Sequence, residues 1–229
     1  MPVLTVASFK GGPGKTTVTQ LLVGAMAAEG IRLSVIDADP NGAFSRWARN
    51  TYEGEGFDVV HEMDEERVPH LIHEKSEAYD LVVVDTAGFG SRAAAFAIAS
   101  SDGVLVPTQA GEADVTEAER TVRLVEGLER SARRPIPVRV LFNRVRSTNL
   151  SRHAAEEVAR ARLPRLETEL ADLVAFGALS YSGLLPSTGA AARLVDKLVD
   201  ELRGIGFLPV TRPPLRRRKE SARASHGSD

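Results

Sequence analysis

The chain has 229 residues, 43% hydrophobic and 26% charged, with a formal net charge of −2. It can bury one substantial core, but it cannot coat nucleic acid by overall charge. It contains no cysteine, which excludes disulfides, iron–sulfur clusters and thiol catalysis.

Val3–Ala7 is an apolar, β-rich run, predicted as a buried strand. It feeds a loop whose glycines, Gly11, Gly12 and Gly14, let successive backbone N–H groups converge on an anion. The loop closes on Lys15-Thr16-Thr17 and passes into an alanine- and leucine-rich helix, Val18–Glu29, whose opening turn is at Thr16. The unpaired N–H groups and positive dipole end of that turn favour phosphate. Lys15 supplies a positive charge to the β- and γ-phosphates, and the Thr16 hydroxyl a hard oxygen for Mg²⁺. The common phosphate-loop pattern needs a glycine where Phe9 stands. The spelling K-G-G-x-G-K-T-T, beginning at Lys10, fits completely. Gly11, Gly12, Pro13, Gly14, Lys15, Thr16 and Thr17 are therefore the expected nucleotide-binding set.

Gly30 stops the helix, and Arg32–Ile36 is predicted as a second buried strand. It delivers Asp37-Ala38-Asp39-Pro40-Asn41-Gly42 to the carboxyl edge, where α/β sheets bind ligands. Asp39 is a candidate to orient an attacking water, and Asp37 to hold a Mg²⁺-bound water. The alternative is a solvated Asp-Pro-Asn-Gly turn. Ala43–Asn50, with Trp47, is predicted as a short helix, Phe57–His61 as an edge strand and Glu65–Ala78 as a polar helix. His61, His70 and His73 lack an evident third ligand and are read as solvated rather than metal-binding. In Asp80–Asp85 an apolar run ends in an acid, and Asp85 is the second candidate Mg²⁺ ligand beside Thr16. The glycines of Thr86-Ala87-Gly88-Phe89-Gly90 suit a loop that rearranges.

Arg92–Ser100 is predicted as a helix and Gly103–Pro107 as a buried strand ending at Thr108-Gln109. A long amphipathic helix follows over Asp114–Arg133, packed through Val115, Ala118, Val122, Val125 and Leu128, with Asp114 as an N-cap-type acid. Val138–Phe142 is predicted as the last central strand, followed by Asn143, for which a turn role is one reading. Ser151–Arg162, Asp172–Tyr181 and Gly189–Leu202 read as helices, and Leu163–Thr168 as a final short strand. Residues 209–229 change composition: prolines, small polar residues and six basic against two acidic side chains, a net of +4, predict a disordered basic tail after a domain over 1–208. Such a tail can grip a phosphate backbone, and with no apolar face it is not a membrane-targeting helix. No export signal and no apolar run of about 20 residues is present, so a cytoplasmic location is expected.

Strands alternating with helices, with ligand residues at strand ends, specify a doubly wound, mainly parallel β-sheet flanked by helices on both faces, in three layers. The ordered motifs Lys10 to Thr17, Asp37-x-Asp39-Pro40 and Asp85-Thr86 make residues 1–208 resemble the ParA/MinD family of P-loop ATPases. The chain is similar in length to small ParA proteins and to the ParA-like ATPases of T-DNA and conjugative transfer. Like that transfer group it has Ser-Phe-Lys-Gly-Gly before the phosphates and a tryptophan after the first switch. The resemblance implies ATP and Mg²⁺ as cofactors and a homodimer with ATP between the subunits, into which Lys10 reaches from one copy to the other's phosphates. It further implies Asp39 in hydrolysis, although Asn41 stands where the family usually has glutamine. It suggests a second reading of Asn143, contact with adenine, and a loop at Glu167–Leu170 that closes over the base. Expected partners are non-specific DNA, with nucleoid association when ATP is bound, and a ParB-like or relaxosome adaptor that stimulates slow hydrolysis, with no membrane. The alternatives are a membrane-associated MinD-like positioning ATPase and a synthetase of the same fold acting on a small carboxylic substrate.

Overall fold

Short runs of valine, isoleucine and leucine bounded by glycine, proline or acidic residues form the strands of the computed structural model, which describes residues 2–88, 91–146, 158 and 162–210. The strands are β1 Val3–Val6, β2 Leu33–Ala38, β3 Asp58–His61, β4 Leu81–Thr86, β5 Gly103–Thr108 and β6 Val138–Phe142. The helices are α1 Lys15–Ala28, α2 Ala43–Asn50, α3 Arg67–Ala78, α4 Arg92–Ala99, α5 Glu112–Ala132, α6 Val174–Ser182 and α7 Gly189–Gly204. All strand pairs are parallel, in the order β3-β2-β4-β1-β5-β6. The near-continuous burial of β1, β2, β4 and β5 is what a sheet covered on both faces requires.

The two-residue side-chain period divides each strand between two cores. Leu4, Val6, Leu33, Val35, Leu81 and Val83 face α1, α2, α6 and α7. Ile36, Val82, Val84, Val104 and Val106 face α3, α4 and α5. The loop after β1 turns to the first face and the loop after β5 to the second. A crevice therefore opens between their carboxyl ends, the position where doubly wound sheets hold ligands.

Several elements differ from expectation. Strand β2 runs on to Ala38, so Asp37 is a ladder residue rather than part of the loop. Strand β6 is the edge of the sheet, not a central strand. Residues 163–168 form no strand of their own and touch β6 through one isolated parallel bridge, Val140 to Arg165. Pro164 has no N–H to give, and the N–H groups of Glu167 and Thr168 go to the Glu201 carboxylate at 2.6 and 2.8 Å. Asp114 does not cap α5: the N-cap is Gly111, and Asp114 lies within the first turn. Apart from Val158 and Arg162, the helix expected at Ser151–Arg162 lies outside the described residues, as do Phe89, Gly90 and the tail from 211.

Candidate nucleotide site

The strand period that builds the core also builds the site. Asp37 continues the series Leu33, Val35 and Asp85 the series Leu81, Val83, so both carboxylates point to the α1 face. They are direct neighbours in the β2–β4 register, and both are fully buried. Asp85 accepts hydrogen bonds from the hydroxyls of Thr16 (2.9 Å) and Thr19 (3.2 Å) on α1. Burial pushes its carboxyl up to about 7, and the charge of Asp37 adds to this, while the two hydroxyls and Lys15 oppose it. Asp37 has a different task. Its two oxygens accept from the backbone N–H of Ser45 (2.8 Å) and of Asp39 (3.2 Å). The N-cap of α2 is Gly42, whose φ of +56° places it in the left-handed region and which has no side chain to cap with. Asp37 caps α2 from the neighbouring strand and ties the Asp39 turn to it.

Lys15 is buried at the head of α1, where Nζ donates to Ser8 Oγ at 3.2 Å and to the Lys10 carbonyl at 3.4 Å. Burial lowers its pKa, and Asp85 and then Asp39 pull the other way. The loop around it is fastened from three sides. Asn143 Nδ2 donates to the Pro13 carbonyl at 2.8 Å, Gln109 Nε2 to the Gly12 carbonyl at 3.1 Å, and Phe9 N–H to Thr121 Oγ1 at 3.1 Å. Gly14 answers two demands at once. Its φ is +96°, and a Cβ there would lie 2.1 Å from Asn143 Nδ2. Sequence reasoning treated the glycines as room for phosphate alone and missed this clamp, which no local signal in the sequence announces.

Asp39 stands at the surface of the same edge. Its Oδ1 accepts from Asn41 N–H at 2.8 Å, and its carbonyl is met by Gly42 N–H at 2.8 Å and by His61 Nε2 at 3.0 Å. His61, expected to be solvated, is half-buried and braces the Asp39 turn from β3, while His70 and His73 are exposed. Arg46, on the first turn of α2, donates to the Asn41 carbonyl and rims a groove of about 410 Å³ that it shares with Thr16 and Thr17. This cation beside the phosphate loop was not singled out in the sequence. Lys10 extends along the opposite rim, with Nζ 3.0 Å from Asp114 Oδ1 on α5.

A cleft of about 760 Å³ opens beside the loop between Thr17, Gln109, Asp114 and Asn143 on one side and Leu173 and Phe176 on the other. That volume suits a nucleotide-sized ligand. Its outer wall comes from residues 171–177 rather than from 167–170, whose N–H groups at 167 and 168 are turned to Glu201. The amide nitrogen of Asn143 is engaged with the loop, so within this geometry it holds the phosphate cradle at the cleft's floor. For a divalent cation, the Thr16 hydroxyl and the Asp85 carboxylate form a hard-oxygen pair next to the phosphate loop. Among the described residues no cluster of three or more His, Cys, Asp or Glu side chains is poised to hold a metal. The donor set fits Mg²⁺, which keeps waters and phosphate oxygens as most of its ligands.

Compared with known proteins, the chain matches the family model described as VirC1 protein over residues 1–197. It is 35% identical over 196 residues to the protein virC1 of Rhizobium radiobacter, covering 82% of this chain and 84% of that one. A protein ParA of the same organism is 31% identical over 145 residues, 63% of this chain and 65% of its own length. Among solved structures, a Cyanothece McdA–ATP complex superposes with a TM-score of 0.77 over 93% of this chain and 99% of that one. The identity there is 17%, so that likeness speaks for the fold.

Proposed function

The chain belongs to the VirC1 protein family, and from that premise we propose that it is a Mg²⁺-dependent ATPase of the ParA/MinD type. In this reading two copies close around ATP and use its hydrolysis to segregate or position DNA, or a DNA-transfer complex. The observation that carries the reading is the buried Lys15 at the head of α1, joined by Thr16 to a buried Asp85. A buried cation beside convergent N–H groups and a hydroxyl–carboxylate oxygen pair is a costly arrangement for a protein with no polyanion to bind.

The chain's own residues divide the work. The amides of 11–17 and Lys15 bind the phosphates, and Thr16 with Asp85 would hold the cation. Bound Mg²⁺ would supply charge neutralisation at the phosphate oxygens. Asp37 fixes the start of α2 and the Asp39 turn, so that the Asp39 carboxylate is presented at the rim, where it can orient a water on the terminal phosphate. Lys10 is the residue offered to the second copy. Turnover is slow, because the site is completed only on assembly, and an adaptor protein accelerates it. The cluster of basic residues at 212–223 supports contact with phosphate backbones in a chain whose net charge is otherwise negative. Among the described residues no helix is long and apolar enough to cross a membrane.

The test is sedimentation of the purified chain with Mg-ATP, Mg-ADP and no nucleotide, together with phosphate release and DNA binding across a salt series. The expected results are association with ATP alone and DNA binding that follows association and weakens steeply with salt. A chain that binds Mg-ATP yet stays single overturns the proposal.

A further inference from the structure

On the reading of the chain as an ATPase, we propose that the groove between α1 and α2 is a second oxyanion site, which takes the inorganic phosphate split from ATP as it leaves. Two hollows flank the phosphate loop, and Thr17 lines both. The larger, of about 760 Å³, lies on the β5–β6 side and has the apolar wall of Leu173 and Phe176 that suits a base. The smaller, of about 410 Å³, lies on the other side, against α2. A nucleotide with its base in the first and its phosphates over residues 11–17 points its last phosphate towards the Asp39 turn and the mouth of the second. Asp39 stands near enough to Lys15 for its charge to raise the lysine's pKa, which ties that turn to the phosphate end of the loop. Bound ADP closes the way back through the larger cleft, so the groove is the neighbouring space open to the cleaved phosphate.

The lining of the groove is that of an anion site. It offers the Arg46 guanidinium, the amides of Gln20 and Asn50 and several hydroxyls, and among the described residues no carboxylate lines it, whereas the larger cleft carries Asp114 and Asp172. Arg46 gives one N–H to the Asn41 carbonyl, which is neutral, so a guanidinium with five donors keeps others for a ligand. Gln20 is the second, independent sign. It is 4% exposed, it lines the groove one helical turn after Thr16, and among the described residues its amide has no hydrogen-bond partner. A buried amide left so is destabilising unless a guest in the groove meets it. The indole of Trp47 closes one wall. Its Nε1 is already spent on the Leu179 carbonyl at 2.8 Å, so it shapes the groove without binding the anion.

Trp47 is the chain's only tryptophan, so the groove carries its own reporter. The experiment titrates the Mg-ADP-loaded chain with inorganic phosphate at constant ionic strength, read by tryptophan fluorescence and by calorimetry. A saturable response is expected, displaced by sulfate, which has the same tetrahedral shape, and not by acetate. Arg46→Met should weaken phosphate binding about 10- to 100-fold and Gln20→Leu about 3- to 30-fold, while both variants bind Mg-ADP within about threefold of the wild type. Arg46→Lys, which keeps the charge and loses the fork, should fall between the wild type and Arg46→Met. Gln20→Met gives the same reading should Gln20→Leu fold poorly. Phosphate binding that Arg46→Met leaves within about threefold places the anion elsewhere and overturns the inference. So does a Mg-ADP-loaded chain that takes up no phosphate by either measurement, or one that takes acetate as well as phosphate. In each of these cases the proposed ATPase stands. A wild type that fails to bind Mg-ADP overturns both.

Discussion

Lys15, Asp37 and Asp85 lie buried beneath the phosphate loop, whereas Lys10 and Asp39 stand on its rim. Each of the buried three makes two hydrogen bonds: Lys15 donates to Ser8 Oγ and the Lys10 carbonyl, Asp37 accepts from the N–H groups of Ser45 and Asp39, and Asp85 accepts from the hydroxyls of Thr16 and Thr19. The rim residues are arranged by turns and by one another. Lys10 leans on Asp114, and Asp39 closes a turn on Asn41. Of the buried three, Lys15 carries the charge that suits an anion, Asp85 with Thr16 offers oxygens that suit a cation, and Asp37 fixes the start of α2. Rim groups on turns are suited to contacts that come and go.

The sharpest way to break this division is at its centre. Lys15→Ala should lower ATP affinity about 100-fold or more by titration calorimetry, the usual consequence of removing one member of a desolvated charge pair. A loss under tenfold would mean that the buried set is not the phosphate site. Asp39→Ala should slow phosphate release by about 100-fold while ATP affinity changes by less than about threefold, because a general base acts on the reaction and not on the bound state. Parallel losses in both would move Asp39 from the rim set into the binding set.

Asp85 sharpens the comparison through pH. Its carboxyl is held near 7 in the folded chain against an ordinary 3.8, so between those values the folded state carries more proton than the unfolded one. The stability that this group contributes is present at low pH, is lost as pH rises through the window, and stays lost above about 7. Asp85→Asn should therefore raise the melting temperature at pH 8 by a few degrees, at roughly 2–4 °C per kcal/mol for a chain this size, and flatten its decline between pH 4 and 7. The same variant should lose the response of ATP binding to Mg²⁺. In the wild type that response should fade below pH 7, where protons compete for the carboxylate. Asn143→Ala should give the smallest change, a loss of about 3- to 10-fold in ATP affinity together with a lower melting temperature, since it leaves the Pro13 carbonyl unpaired. Unchanged affinity with lowered stability would assign Asn143 to folding alone.

Much of this was legible before any coordinates. The strand, glycine-rich loop and helix around residues 11–17 and the position of Asp85 at the end of β4 express local rules and appear in the fold as expected, while Asp37 falls within β2 rather than in the loop after it. What escaped were contacts between residues far apart in sequence. Asn143 reaches Pro13, Asp37 caps α2, His61 supports Asp39 and Lys10 finds Asp114, and no periodicity or spacing encodes any of these. The edge position of β6 and the replacement of a seventh strand by an isolated bridge were equally hidden. They depend on which strand pairs with which, and on Glu201 of α7 taking the N–H groups of 167 and 168.

The sequence by itself determined the parallel α/β class, the phosphate loop and the identity of the acids at the strand ends, because alternation, glycine freedom and apolar runs are properties of neighbouring residues. Only the tertiary structure decided that Asp37 caps α2 while Asp85 meets the hydroxyls of Thr16 and Thr19, and that Lys10 rests on Asp114. Those outcomes follow from the β2–β4 register and the approach of α5 to the loop, and hydrogen bonding across such distances becomes definite only when the sheet is assembled.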